Sequence, residues 1–119
     1  MANDSKNIGN VVERYSKALI ELAIESNSLS SVHSDIQNII KIIESSDDFN
    51  KVLKSPIISR NAQSQIINSI LNKLSVSDNV IKFFSVICQN GRSSIIDRIC
   101  LRFLDMEVKR GSKSRIAKY

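Results

Sequence analysis

The chain has 119 residues, 42% hydrophobic and 24% charged, with a net charge of +5. These values suit one globular domain burying roughly two thirds of its unfolded surface, and they exclude a disordered tail or a fibre. No apolar run exceeds three residues, whereas a membrane span needs about 20 and a secretion-signal core about 7 to 15, so neither is expected.

Three glycines, at 9, 91 and 111, and one proline, at 56, punctuate a pattern that repeats at the helical period. Residues 1–9 are expected to be a flexible tail. Asn10, with Glu13 three positions on as in a capping box, opens a first helix carrying Val11, Val12, Tyr15, Ala18, Leu19, Leu22 and Ala23 on one broad side and ending near Ser26. A serine-rich turn leads to a second helix striped by Leu29, Val32, Ile36, Ile39, Ile40 and Ile43, ending near Ser45. Ser46, Asp47 and Asp48 begin a short third helix anchored by Phe49, Val52 and Leu53, and Pro56 stops it.

Ser59 opens a fourth helix with Ala62, Ile66, Ile67, Ile70, Leu71 and Leu74 as its stripe. Ser77 caps a fifth, and Gly91 supplies its left-handed end. Ser94 with Asp97 then starts a sixth, built on Ile95, Ile96, Ile99, Cys100, Phe103 and Leu104 and ended by Gly111. No segment alternates at period two long enough to predict a strand. The expected fold is therefore all-α, a compact six-helix bundle over residues 10–111, with 112–119 as the start of a linker to a further domain.

Little in the chain points to chemistry. His33 is the only histidine, which leaves no partner for a nucleophile arrangement or a two-histidine metal site. Cys88 and Cys100 lie among apolar residues and read as small buried hydrophobes in a reducing compartment. No catalytic, cofactor-binding or metal-binding residue is assigned, and no cofactor is expected. Residues 1–90 hold nine basic and nine acidic side chains; residues 91–119 hold eight basic and three acidic, which is the whole excess. A basic end of this kind suits a solvated helix face, and it also suits contact with nucleic acid or an acidic membrane.

The fifth helix has more apolar width than a single core uses. Asp78, Lys82, Ser85 and Gln89 fall in one narrow row, while Val80, Ile81, Phe83, Phe84, Val86, Ile87 and Cys88 spread over roughly 220°. A helix resting on one core shows a stripe of little more than about 100°. Either neighbours bury this helix on most sides, or one edge, around Asn79, Phe83, Val86 and Asn90, is left for a partner. The first helix has a similar spare edge of Val11, Tyr15, Ala18 and Leu22, in which small Ala18 leaves a depression. Side by side, the two edges form a groove for an amphipathic helix from another chain.

The stretches "RYSKALIELAIES" at 14–26, "VHSDIQNIIKIIESSDDF" at 32–49, "SPII" at 55–58 and "FFSVICQNGR" at 83–92 resemble, in order and spacing, the N-terminal domain of the delta subunit of F-type ATP synthase. The mitochondrial counterpart is the oligomycin-sensitivity-conferring protein. Departures are Ser16 for the usual alanine, Ile20 for phenylalanine, Ser93 for leucine, and Gln63 and Gln65 where a lysine is common.

The resemblance implies a six-helix bundle without the family's C-terminal domain. It also implies a non-enzymatic stator role, in which the subunit binds N-terminal helices of alpha subunits through its first and fifth helices. The missing domain would join the b subunits of the peripheral stalk, and the complex would hold the subunit peripherally on the cytoplasmic face of a bacterial inner membrane. The chain alone is expected to be a monomer with no nucleic-acid partner. Tyr15, Ala18 and Val86 carry over by position as alpha-helix contacts; Val11, Leu22, Asn79, Phe83 and Asn90 follow by helical geometry. Competing readings are a basic helical nucleic-acid-binding domain using the C-terminal end, or a six-helix signalling adaptor of the death-domain type.

Overall fold

The computed structural model describes the backbone of residues 4–118 and the side chains of residues 8–109. Six α-helices follow one another: α1 (Asp4–Glu25), α2 (Leu29–Ser45), α3 (Asp47–Lys54), α4 (Arg60–Lys73), α5 (Asp78–Gln89) and α6 (Ile96–Lys118), with a 3₁₀ turn at Ser93–Ile95. The described residues include no strand. The all-α bundle expected from periodicity is the fold observed.

Both ends of the chain depart from expectation. α1 begins at Asp4, so Asn10 lies inside the helix and caps nothing, and residues 4–9 of the expected tail are helical. Ile8 packs against the core, and a side chain at Gly9 would meet open space, so this glycine costs the helix only about 1 kcal/mol of propensity. At the other end α6 runs through Gly111 to Lys118, covering most of the expected linker. A lone glycine without a following proline is too weak a stop.

Three helices end in the same crossed pair of backbone bonds around a left-handed residue. After α1, Asn27 (φ 54°) and Ser28 donate to Ile24 and Ala23; after α4, Ser75 (φ 60°) and Val76 donate to Asn72 and Leu71. After α5, Gly91 (φ 75°) and Arg92 donate to Cys88 and Ile87. Of the three, only Gly91 carries no Cβ penalty. Ser75→Gly should therefore raise stability by about 0.5–1 kcal/mol, read as a higher urea midpoint; an unchanged or lower midpoint would mean that the serine hydroxyl holds the turn.

The start signals divide into bonds made and bonds redirected. Ser46 and Ser59 accept the N–H groups of Phe49 (3.2 Å) and Ala62 (3.1 Å), capping α3 and α4. Ser77 stands at the start of α5 but its side chain does not cap it: hydroxyl and N–H both donate to buried Asp35 of α2 (3.1 and 3.2 Å). Ser94, expected to start α6 with Asp97, instead offers its carbonyl to Lys54 (2.7 Å), which also reaches the Asp97 carboxylate (3.0 and 3.1 Å). That ties α3 to the start of α6.

Phe84, Phe103, Leu19, Ile36, Ile39, Leu71, Ile87 and Ile99 are among the fully buried side chains of one core. α6 lies between α1 and α2. Ser16 of α1 donates to the Ile99 carbonyl (3.3 Å), Arg102 grips Glu13 (2.8 and 3.1 Å), and Glu107 meets His33 of α2. The Arg102 guanidinium holds the Glu13 carboxyl below its ordinary range. Burial pushes the Cys88 thiol up to about 11 and the Cys100 thiol up as well, so neither is a thiolate at neutral pH.

Candidate helix-docking edge between α1 and α5

α5 buries Val80, Ile81, Phe84, Ile87 and Cys88 and packs along α4, where Ser85 donates to Asn68. This leaves its opposite edge open. Asn79 and Asn90 are exposed, Phe83 is half-buried, and Val86 is 54% exposed. On α1, Val12, Leu19 and Ala23 face the core, while Val11, Tyr15 and Leu22 are half-buried and Ala18 is exposed.

Side chains join the two edges. The Tyr15 and Phe83 rings meet edge to face, 6.2 Å between centroids and 87° between planes. Phe83 in turn meets buried Phe84 at 5.4 Å and 83°. The Asn90 amide donates to the Tyr15 hydroxyl (2.9 Å), spanning 75 residues of sequence. Aromatic pairs of this geometry add about 0.5–1.5 kcal/mol beyond their area, so these rings give the edge a fixed floor. Val86 and Ala18 stand open beside it.

The structure thus brings Tyr15, Phe83 and Asn90 into direct contact. Val11, Ala18, Leu22, Asn79 and Val86 lie on the same two helices with exposures consistent with a shared edge. Both explanations for the breadth of α5 describe part of it: Val80, Ile81, Phe84, Ile87 and Cys88 are buried by neighbours, and Val86 stays 54% exposed on the remaining edge.

Most positions that depart from the usual pattern have partners here. Ser16 and Ser93 are buried and donate to the Ile99 and Leu53 carbonyls (3.3 and 2.8 Å). Gln63 is buried and donates to the Val52 and Ser55 carbonyls (2.9 and 3.0 Å), satisfying the C-terminal end of α3. Ile20 is buried beside a cavity of about 360 Å³ that is also lined by Met106 and Arg102 of α6. Gln65 is exposed.

Sequence reasoning missed the α3–α4 loop. Ile57 is 91% exposed, the most exposed of the large apolar side chains described, and Arg60 reaches the far end of α5. The signal was the apolar pair following Pro56.

Among the described residues no group of three or more His, Cys, Asp or Glu side chains lies close enough to hold a metal ion, and no helix is long and apolar enough to cross a membrane. What the described residues offer is a helical scaffold on which Val86 of α5 and Ala18 of α1 stay exposed beside the Tyr15–Phe83 contact. The sequence profile of the family described as ATP synthase delta (OSCP) subunit matches residues 11–116, and the chain belongs to that family. Among similar proteins, the ATP synthase subunit delta of Paramagnetospirillum magneticum is 32% identical over 111 residues, covering 92% of this chain and 60% of the relative. Those of Sinorhizobium medicae and Brucella ovis are 33% and 32% identical over 103 residues, covering 87% of this chain and 55% of each relative. The chain thus spans between 55% and 60% of the length of these relatives.

Proposed function

We propose that this chain serves as the helical head of a non-catalytic stator subunit in a proton-translocating ATP synthase. It docks the N-terminal helix of an alpha subunit on the α1–α5 edge, with Val11, Tyr15, Ala18, Leu22, Asn79, Phe83, Val86 and Asn90 as the contact set. Through the C-terminal domain that the family resemblance implies, the subunit links the catalytic head to the b-subunit stalk. It is held peripherally at the cytoplasmic face of the inner membrane by the complex.

The observation that carries this reading is the exposed Val86 beside a floor fixed by the Tyr15, Phe83 and Asn90 contacts. Stator work is mechanical: the joint must resist rotary torque, and an apolar helix seated between two helices with a polar rim dissociates slowly without any chemistry. Family membership supports an alpha subunit as the partner, and the exposed Val86 and Ala18 support the α1–α5 edge as its seat.

The test is a backbone-amide NMR titration of the chain with a peptide of the first 20 or so residues of the cognate alpha subunit. Shifts should concentrate at residues 11–22 and 79–90. No shift at about 1 mM peptide, where a contact of about −4 kcal/mol half-saturates, would overturn the reading.

A further inference from the structure

At the Asn90 end, the α1–α5 edge does not stop at bare solvent. Asn90 lies on the edge, and the next residue, Gly91, lines a notch of about 250 Å³ together with Lys54, Ser55, Arg60 and Ser94. No carboxylate lines this notch. Lys54 is already committed to Asp97 and to the Ser94 carbonyl. Arg60 is differently placed.

The Arg60 guanidinium lies against Gly91, with three of its atoms 2.8 Å from where a Cβ would stand, so any side chain there would displace this flexible arginine end, and the φ of 75° is what favours glycine. Its one hydrogen bond is long, from Nη1 to the Gln89 carbonyl at 3.5 Å, and among the described residues no carboxylate pairs with it. A guanidinium has five N–H donors in a planar fork matched to a carboxylate. Arg92, exposed beside the notch, adds a second positive charge.

Three positions before Arg60, on the loop between α3 and α4, Ile57 is 91% exposed. Its N–H donates to the Ser55 hydroxyl (3.2 Å), and the Ser55 carbonyl accepts from buried Gln63 (3.0 Å). An exposed isoleucine three positions from an arginine that, among the described residues, has no carboxylate partner offers an apolar and a cationic contact on one short segment.

We propose that this notch is a second subsite of the same docking surface, and that it takes an acidic end of the docked helix. The carboxylate meets Arg60, and an apolar side chain within a turn of it covers Ile57. This inference rests on the helix-docking reading of the α1–α5 edge and adds a requirement on the partner's sequence. It also gives the docked helix one preferred direction, because Asp78 marks the other end of α5 with the opposite charge.

The experiment uses the 119-residue chain and one alpha N-terminal peptide, in which the two residues flanking the docked helix are made Glu-Glu, Gln-Gln or Lys-Lys, at each end in turn. At one end, affinity should fall in the order Glu, Gln, Lys, by about fivefold per step, with amide shifts at Ile57, Arg60 and Gly91 that are lost at high salt. Arg60→Glu should invert the order, Arg60→Gln should flatten it, and Ile57→Ser should weaken every version by up to about tenfold. If the three versions bind alike at both ends while residues 79–90 still shift, the subsite is refuted and the groove stands. An order that persists in Arg60→Glu refutes it equally. If no version shifts residues 79–90, the docking reading itself fails.

Discussion

Val86→Asp should leave the free chain folded with stability within about 0.5 kcal/mol of the parent, yet weaken the alpha-derived helix by one to two orders of magnitude. Val86 is 54% exposed, so in the free chain the new carboxylate stays in water, and Val and Asp differ little in helix propensity. In the complex a helix laid on the edge would cover that carboxylate, and an unpaired buried charge costs at least the 1–3 kcal/mol seen for uncompensated polar groups in proteins. That range corresponds to roughly tenfold to a hundredfold in affinity. Titrating both variants with the same peptide, with the circular dichroism melt as the folding control, decides it. Equal affinities with an intact fold would mean that the helix docks elsewhere.

The substitution is informative because it separates two properties that the sequence leaves mixed in α5. The breadth of its apolar side was legible from spacing alone, but spacing does not say which part of that breadth neighbours cover. The structure answers by placing α4 against Ser85 and the core against Phe84 and Ile87, which leaves Val86 outside. Core stripes were legible for the same reason that helices form: each apolar side chain recurs at the period that puts it on one face.

Helix ends were legible only where the stop or start is a local bond. Gly91, Ser46 and Ser59 behave as expected because each acts through its own backbone or through the N–H three residues on. Asn10 and Gly111 did not end their helices, and Ser77 turned its hydroxyl to Asp35, 42 residues away. A long-range partner outbid the local one in that last case, and no window of sequence around Ser77 contains it. The cationic notch was hidden likewise, since Arg60 and Gly91 are 31 positions apart and only the fold brings a guanidinium onto a glycine.

Phe84→Ala should be the most damaging single truncation on α5. Phe84 is fully buried at the centre of the core, and removing a ring of that size costs about 3–5 kcal/mol as lost transfer energy plus the unfilled cavity. Against a total of about 5–15 kcal/mol for a domain of this kind, the urea midpoint should fall by about a fifth or more while the slope of the transition is kept. The same change should reach the docking edge by a second route. Phe84 braces Phe83 edge to face, and Phe83 braces Tyr15, so the ring that forms the floor of the edge loses its inner support. Peptide affinity, measured where the variant is still folded, should drop by several-fold, less than for Val86→Asp because no charge is buried. Phe84→Leu, which keeps most of the volume, should recover both quantities in large part. A loss below about 1 kcal/mol for the alanine variant would show that the interior around α5 collapses onto the gap, and the rigid floor assigned to Tyr15 and Phe83 would then have no basis.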